Sequence, residues 1–132
     1  MGVGPGIQRQ ASGSPYEPIV GYSRTVVAGP FIFVAGTTGT LDGAVVGHGD
    51  PYAQAVQALR NVEQALALVG ARMSDVVQTQ LFVTDISRWA EVGQAHAEAF
   101  AGHLPVTAML GVAALIDPAM LVEVQVTAYR LS

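Results

Sequence analysis

The segment Leu121-Val122-Glu123-Val124-Gln125-Val126-Thr127-Ala128-Tyr129 alternates residue by residue. Val122, Val124, Val126 and Ala128 fall on one side, and Glu123, Gln125, Thr127 and Tyr129 on the other. Successive side chains leave a strand on opposite faces, so period-two alternation of β-branched residues specifies a half-buried strand. Such a strand belongs in a sheet with one covered, apolar face and one less apolar face. Glu123 then stands as a carboxylate on the second face, with Leu121 and Tyr129 as its neighbours in parity.

The other elements follow from spacing and punctuation. Ser23–Ala28 and Phe31–Thr38 read as two strands joined at Gly29-Pro30, a hairpin. Residues 39–49 are glycine-rich and read as a loop. Asp50-Pro51 opens a helix as N-cap and first helical residue. Tyr52, Ala55, Val56, Leu59, Val62, Leu66 and Val69 continue it at helical spacing, and Gly70 closes it. Val76–Thr84 is a strand. Ser87 caps a second helix that carries Trp89, Val92, His96, Ala99 and Phe100 on one stripe. Val106–Ala114 and Leu121–Arg130 are the last strands, joined across Ile116-Asp117-Pro118. Residues 1–20 read as an irregular leader to one domain spanning 1–132. The order β-β-α-β-α-β-β predicts an α+β fold with a mixed sheet, since strands joined through helices require crossovers. Two helices cover one face, and the Glu123 face stays open.

Composition says what that face meets. The chain has 132 residues, 51% of them hydrophobic and 12% charged, where soluble domains carry about 25% charged residues. A surface so poor in charge predicts burial against other copies of the chain. Net charge is −4, and the six basic residues are all arginines, too few for a phosphate-tracking stripe. Nucleic acid is therefore not an expected partner. There is no cysteine, which excludes disulfides, thiolate catalysis and cysteine metal sites. No apolar run approaches the roughly 18 residues of a membrane span. Met1 to Gly6 carries no secretory pattern, so the expected location is the cytoplasm, with no membrane partner. His96-Ala97-Glu98 mimics half of a zinc-deaminase signature, but the cysteines that would complete it are absent. No His-Glu-x-x-His, P-loop, dinucleotide fingerprint or Gly-x-Ser-x-Gly elbow occurs. No metal and no cofactor is expected.

Several stretches then carry a resemblance. They are Gly21-Tyr22-Ser23-Arg24-Thr25-Val26-Val27, Phe31-Ile32-Phe33-Val34-Ala35-Gly36-Thr37, and the first helix with Gln54, Ala58, Leu59, Asn61 and Val62. Asp75-Val76-Val77-Gln78-Thr79, Phe82-Val83-Thr84-Asp85 and Val122-Glu123-Val124-Gln125-Val126-Thr127-Ala128 complete them. In order and spacing the chain resembles the Rid family, also called YjgF or L-PSP, from about Gly21 onward. The resemblance implies a chorismate-mutase-like α+β fold, a homotrimer with a central β-barrel, and ligand clefts between subunits. It implies hydrolysis of reactive imines and enamines without a metal or cofactor. It also implies a cleft built from a first-strand tyrosine, a second-strand glycine, an arginine two residues after a proline that grips the substrate carboxylate, and a last-strand glutamate that works on water. In this chain the tyrosine is Tyr22, the glycine Gly36 and the glutamate Glu123.

The arginine is missing. In Pro105-Val106-Thr107-Ala108-Met109 its position is held by Thr107, which carries no charge and cannot form a bidentate pair with a carboxylate. Gly93 likewise stands where deaminating members place an asparagine on the second helix. The expectation is a relative outside the group that turns over small amino-acid-derived imines.

Each candidate has two readings. Glu123 is a cleft acid or base, or an interface charge paired with an arginine. Arg24 shares parity with Tyr22 and supplies the missing positive charge, or is an ordinary interface arginine. Thr107 and Met109 share parity and floor a weakly polar pocket, or pack in the core. His96, on an apolar stripe, reads as a hydrogen-bonded packing residue, His48 as an exposed loop residue, and His103 as a helix-end residue that suits the dipole. Three functions follow. The first is a trimeric cleft protein that hydrolyses or tautomerises an imine, enamine or related carbonyl. The second is a non-catalytic small-metabolite-binding or regulatory trimer. The third is an endoribonuclease or translation inhibitor, which the acidic charge opposes.

Overall fold

The computed structural model describes residues 6–131. Six strands form one mixed sheet: β1 (Ile7–Gln10), β2 (Thr25–Ala28), β3 (Phe31–Thr38), β6 (Val76–Val83), β7 (Val106–Gly111) and β8 (Val122–Tyr129). Their spatial order is β1-β2-β3-β8-β6-β7. Every pair is antiparallel except β6 and β7, which run parallel. The parallel pair is joined by helix α2 (Trp89–Ala99), and helix α1 (Pro51–Leu68) links β3 towards β6. Both helices pack on the same face.

The alternation in β8 is realised. Val122, Val124, Val126 and Ala128 are buried beneath the helices, while Glu123 and Thr127 are half-buried and Gln125 and Tyr129 exposed on the other face. Leu121 departs from this pattern. It precedes the strand, packs against the helix-side core and donates its N–H to Gln54 Oε1 at 2.8 Å. Ile32, Val34, Leu59, Val62, Leu66, Leu81, Val83, Val92 and Phe100 fill the layer between sheet and helices. Burying each valine or leucine contributes about 1.5–3 kcal/mol.

The helix signals hold with one shift. Asp50 accepts the Ala53 N–H at 3.1 Å, with Pro51 at the first helical position. Gly70 has φ +78°, and the Gly70 and Ala71 amides bond back to Ala67 and Leu66, the paired closure of a Schellman end. Before α2 the capping acceptor is Asp85, not Ser87. Its carboxylate takes the Ser87 N–H and hydroxyl, starting a single 3₁₀ turn one step earlier. Trp89 is 60% exposed and off the packed stripe, which runs through Val92, Ala95 and Phe100.

Two segments hold more structure than their patterns show. Of the leader read as irregular, residues 1–5 lie outside the described residues, but Ile7–Gln10 pairs along β2. All four β1 residues are exposed, so ladder bonds rather than hydrophobic alternation make this strand. The glycine-rich loop folds into a small hairpin of β4 (Thr40–Leu41) and β5 (Ala44–Val45). Asp42 and Gly43 both take positive φ at its turn, the Asp-Gly preference of a type I′ hairpin.

Candidate functional site

The sheet's open face carries Glu123. Around it β3 departs from regular pairing: its register with β8 shifts between Val34 and Thr37, a bulge at Ala35-Gly36. A bulge leaves an extra residue out of the ladder and frees backbone groups for other partners. Here the partner is Arg24. Its Nη1 donates to Gly36 O at 2.7 Å and Thr37 Oγ1 at 3.0 Å, and its Nη2 donates to Tyr22 Oη at 3.2 Å. The guanidinium also lies 5.5 Å from the Tyr22 ring centre. Tyr22 and Arg24 precede β2, yet they meet as their shared parity suggested.

On its far side Arg24 Nε meets Glu17 Oε2 at 3.4 Å, with side chains only 11% and 5% exposed. Glu17 begins a single π-helical turn (Glu17–Gly21), closed by the Tyr22 N–H bonding to Glu17 O at 3.0 Å and by Gly21 at φ +88°. Glu17 accepts the Ser12 N–H at 3.0 Å and a short bond from the Ser12 hydroxyl. Burial pushes the Glu17 carboxyl up, but the Ser12 donors and the Arg24 charge outweigh it, and its pKa lies below the usual glutamate value. Sequence reasoning missed Glu17. It lies in an aperiodic turn between Pro15 and Pro18, and nothing in that pattern marks it as buried.

Glu123 is placed oppositely. Its carboxylate makes no hydrogen bond to any of the described residues. Burial raises its pKa, and the Arg24 charge offsets only part of the rise. Gly36 is what makes room for it: a Cβ there would fall 1.9 Å from Glu123 Oε2 and 2.7 Å from its carboxyl carbon. The backbone of β8 is held one step upstream. Gln54 of α1 is fully buried and bonds Gly47 O, Ala119 O and the Leu121 N–H. Glu123 is therefore anchored by its neighbours and unengaged at its tip.

Thr107 and Met109 do not join this group within one protomer. Thr107 pairs with Thr79 across β6 and β7, on the helix side of the sheet, and Met109 packs against the helix-side core. The Thr79 hydroxyl bonds Thr107 Oγ1 at 2.6 Å and His96 Nε2 at 2.8 Å. The His96 ring packs tilted against Phe100, with centres 4.7 Å apart, and burial holds its pKa below the usual histidine value. The expected packing role of His96 is borne out in this contact. Thr79 was not singled out from the sequence, although a hydroxyl among the core positions of β6 is itself a signal of a buried polar contact. His48 and His103 are exposed, and Gly93 on α2 has only the Trp89 ring nearby. Glu98, from the deaminase-like tripeptide, accepts the Tyr52 hydroxyl at 2.6 Å. Among the described residues no three His, Asp or Glu side chains converge as metal ligands. Neither described helix is long and apolar enough to cross a membrane.

The rest of the open face is mixed: Gln78 and Gln80 of β6 and Gln125 and Thr127 of β8 cross it, and apolar residues flank them. Phe31 and Phe33 are 43% and 46% exposed, and Phe31 meets Tyr129 edge-on at 5.3 Å. Val106 and Leu110 extend the patch along the edge strand β7. Glu123 thus shares its face with uncovered aromatic and aliphatic surface.

Comparison with known proteins agrees with this architecture. The family described as endoribonuclease L-PSP matches residues 13–130. An uncharacterized Streptomyces coelicolor protein, SCO2049, is 39% identical over 124 residues, covering 94% of this chain and 92% of the relative. A RutC family protein of Pyrococcus horikoshii, PH0854, is 30% identical over 117 residues, 86% of this chain and 90% of its own. The crystal structure of Rv2704 from Mycobacterium tuberculosis, a YjgF/YER057c/UK114 family member, superposes with a TM-score of 0.84 at 50% identity, over 93% of this chain and 98% of that one. Fold, matched residues and relatives together place this chain in the endoribonuclease L-PSP family, the YjgF group it resembles in sequence.

Proposed function

We propose that three copies of this chain close around their open sheet faces and form three clefts. Each cleft joins the Tyr22, Arg24, Gly36 and Glu123 group of one copy to the Thr107 and Met109 edge of its neighbour. The exposed Phe31, Phe33, Val106 and Leu110 give the apolar area such a closure requires. The low charge of the chain supports the same reading. The cleft takes a small imine, enamine or related carbonyl compound. Glu123 accepts a proton from water as it adds to the carbon–nitrogen double bond, then returns one to the departing nitrogen. The observation that carries this reading is the Glu123 carboxylate, half-buried, unbonded and raised in pKa at a glycine that leaves it space. A base of raised pKa is suited to proton transfer near neutral pH.

Thr107 sets the substrate limit. With no cationic side chain at that position, 2-aminoacrylate released by a pyridoxal-phosphate-dependent dehydratase should be hydrolysed far more slowly than by arginine-bearing relatives. Ammonia release in a coupled dehydratase assay tests this, and a rate matching those relatives refutes it. The same substitution favours a second reading, a binding trimer without turnover. Glu123→Gln separates the two. Lost turnover with retained binding supports the enzyme, whereas a chain that binds but never turns over any imine supports the binder.

A further inference from the structure

The helix side of the sheet carries a polar chain that packing does not require. His96 on α2, Thr79 on β6 and Thr107 on β7 are linked at 2.8 and 2.6 Å. Thr79 is fully buried, while Thr107 at its outer end is exposed on the edge strand. Thr79 has a single hydroxyl proton to give. If it donates to Thr107, His96 Nε2–H must donate to Thr79, and Thr107 keeps its own proton for an outside acceptor. If His96 is in the other tautomer, Thr107 donates inward through Thr79 and turns a lone pair outward. The outer hydroxyl can thus present a donor or an acceptor, and the half-buried His96 imidazole compensates either choice by its tautomer.

The positive charge nearby is already committed. Arg24 gives its donors to Glu17, Gly36 O, Thr37 and Tyr22, so no bidentate face remains for a substrate carboxylate. Glu123 would in addition repel such an anion. A group with one neutral acceptor and one neutral donor, such as a carboxamide, meets neither objection.

We infer that Thr107, positioned by Thr79 and His96, is the substrate-recognition residue of the cleft and selects a carbonyl or imine compound whose second polar group is uncharged, a carboxamide in place of a carboxylate. This rests on the proposed closure of one copy's β7 edge against another's Glu123 group.

The full chain should be titrated with pyruvamide and, separately, with pyruvate, while NMR follows the Thr107 methyl, the His96 ring nitrogens and the Glu123 carboxyl carbon. Pyruvamide is expected to move all three signals and to bind at least tenfold more tightly than pyruvate. Thr107→Val should lose about tenfold in pyruvamide affinity, one neutral hydrogen bond, and Thr107→Ser should keep it. Thr79→Val should weaken pyruvamide binding and abolish the pyruvamide-induced movement of the His96 nitrogens, a ligand-dependent signature that a purely structural Thr79–His96 hydrogen bond would not give. Thr107→Arg should invert the preference towards pyruvate. Pyruvamide that still moves Glu123 but binds Thr107→Val and wild type equally overturns this inference and leaves the cleft reading standing. Equal or tighter pyruvate binding also overturns it. Pyruvamide that moves neither Glu123 nor Thr107 overturns both.

Discussion

Two carboxylates respond to one arginine and are driven in opposite directions. Glu17 sits in the turn before β2, held by two Ser12 donors and the Arg24 guanidinium, and its pKa is lowered. Glu123 sits on the central strand β8, with burial but no bonded donor among the described residues, and its pKa is raised. Burial raises both. The difference is hydrogen bonding to the charged form, which the N-terminal turn supplies and the sheet face withholds. A buried carboxylate that is satisfied works for stability, and one left unsatisfied is available for chemistry. Arg24 is spent on the first and only tempers the second.

The comparison can be broken at several points. The largest effect is expected from Glu123→Gln, which should cut imine turnover by about 10²–10⁴-fold if the carboxylate moves protons. A wild-type rate would remove Glu123 from the reaction. Glu17→Ala should have the largest effect on stability. It leaves Arg24 buried without its anion, at a cost of about 3 kcal/mol, read as a lower denaturant midpoint. Gly36→Ala tests geometry alone. The new Cβ must displace the end of the flexible Glu123 side chain, so turnover should fall about 10²-fold while the denaturant midpoint barely moves.

The smallest effect is a sign. The folded pKa of Glu123 lies above its ordinary value of 4.5, so the native state binds the proton more tightly. Below that ordinary value the group is neutral folded and unfolded and contributes nothing. As pH rises through the raised pKa the folded state must carry an unsatisfied charge, and stability falls. Glu123→Gln should therefore be slightly more stable than wild type at neutral pH, with the gain vanishing in acid. Glu17 runs the other way: its contribution is complete above its ordinary pKa and is lost as pH falls through the lowered one. Thermal melts of Glu123→Gln and Glu17→Gln across this range check the pair, and two differences of the same sign would undo the contrast.

Much of the architecture was legible because it rests on periodicity. The two faces of β8, the Asp50-Pro51 start of α1 and the Gly70 end each follow from local rules of spacing and capping. What escaped rests on partners remote in sequence. Ile7–Gln10 is a strand only because β2 offers it a ladder, and the Asp42-Gly43 hairpin was hidden among glycines. The site divides the same way. Alternation alone put Glu123 on the open face. Its emptiness of hydrogen bonds depends on a bulge in β3 whose carbonyls capture Arg24. Parity paired Thr107 with Met109 correctly but could not give the face they take, because β7 inherits its register from β6.

The most direct measurement is a single titration of the carboxyl carbons of Glu17 and Glu123 by carbon-detected NMR on the intact protein. The account requires the Glu123 midpoint above 4.5 and the Glu17 midpoint below it in the same spectra. A Glu123 midpoint at or below 4.5 would mean that its carboxylate is satisfied or solvated, and the central contrast would be lost.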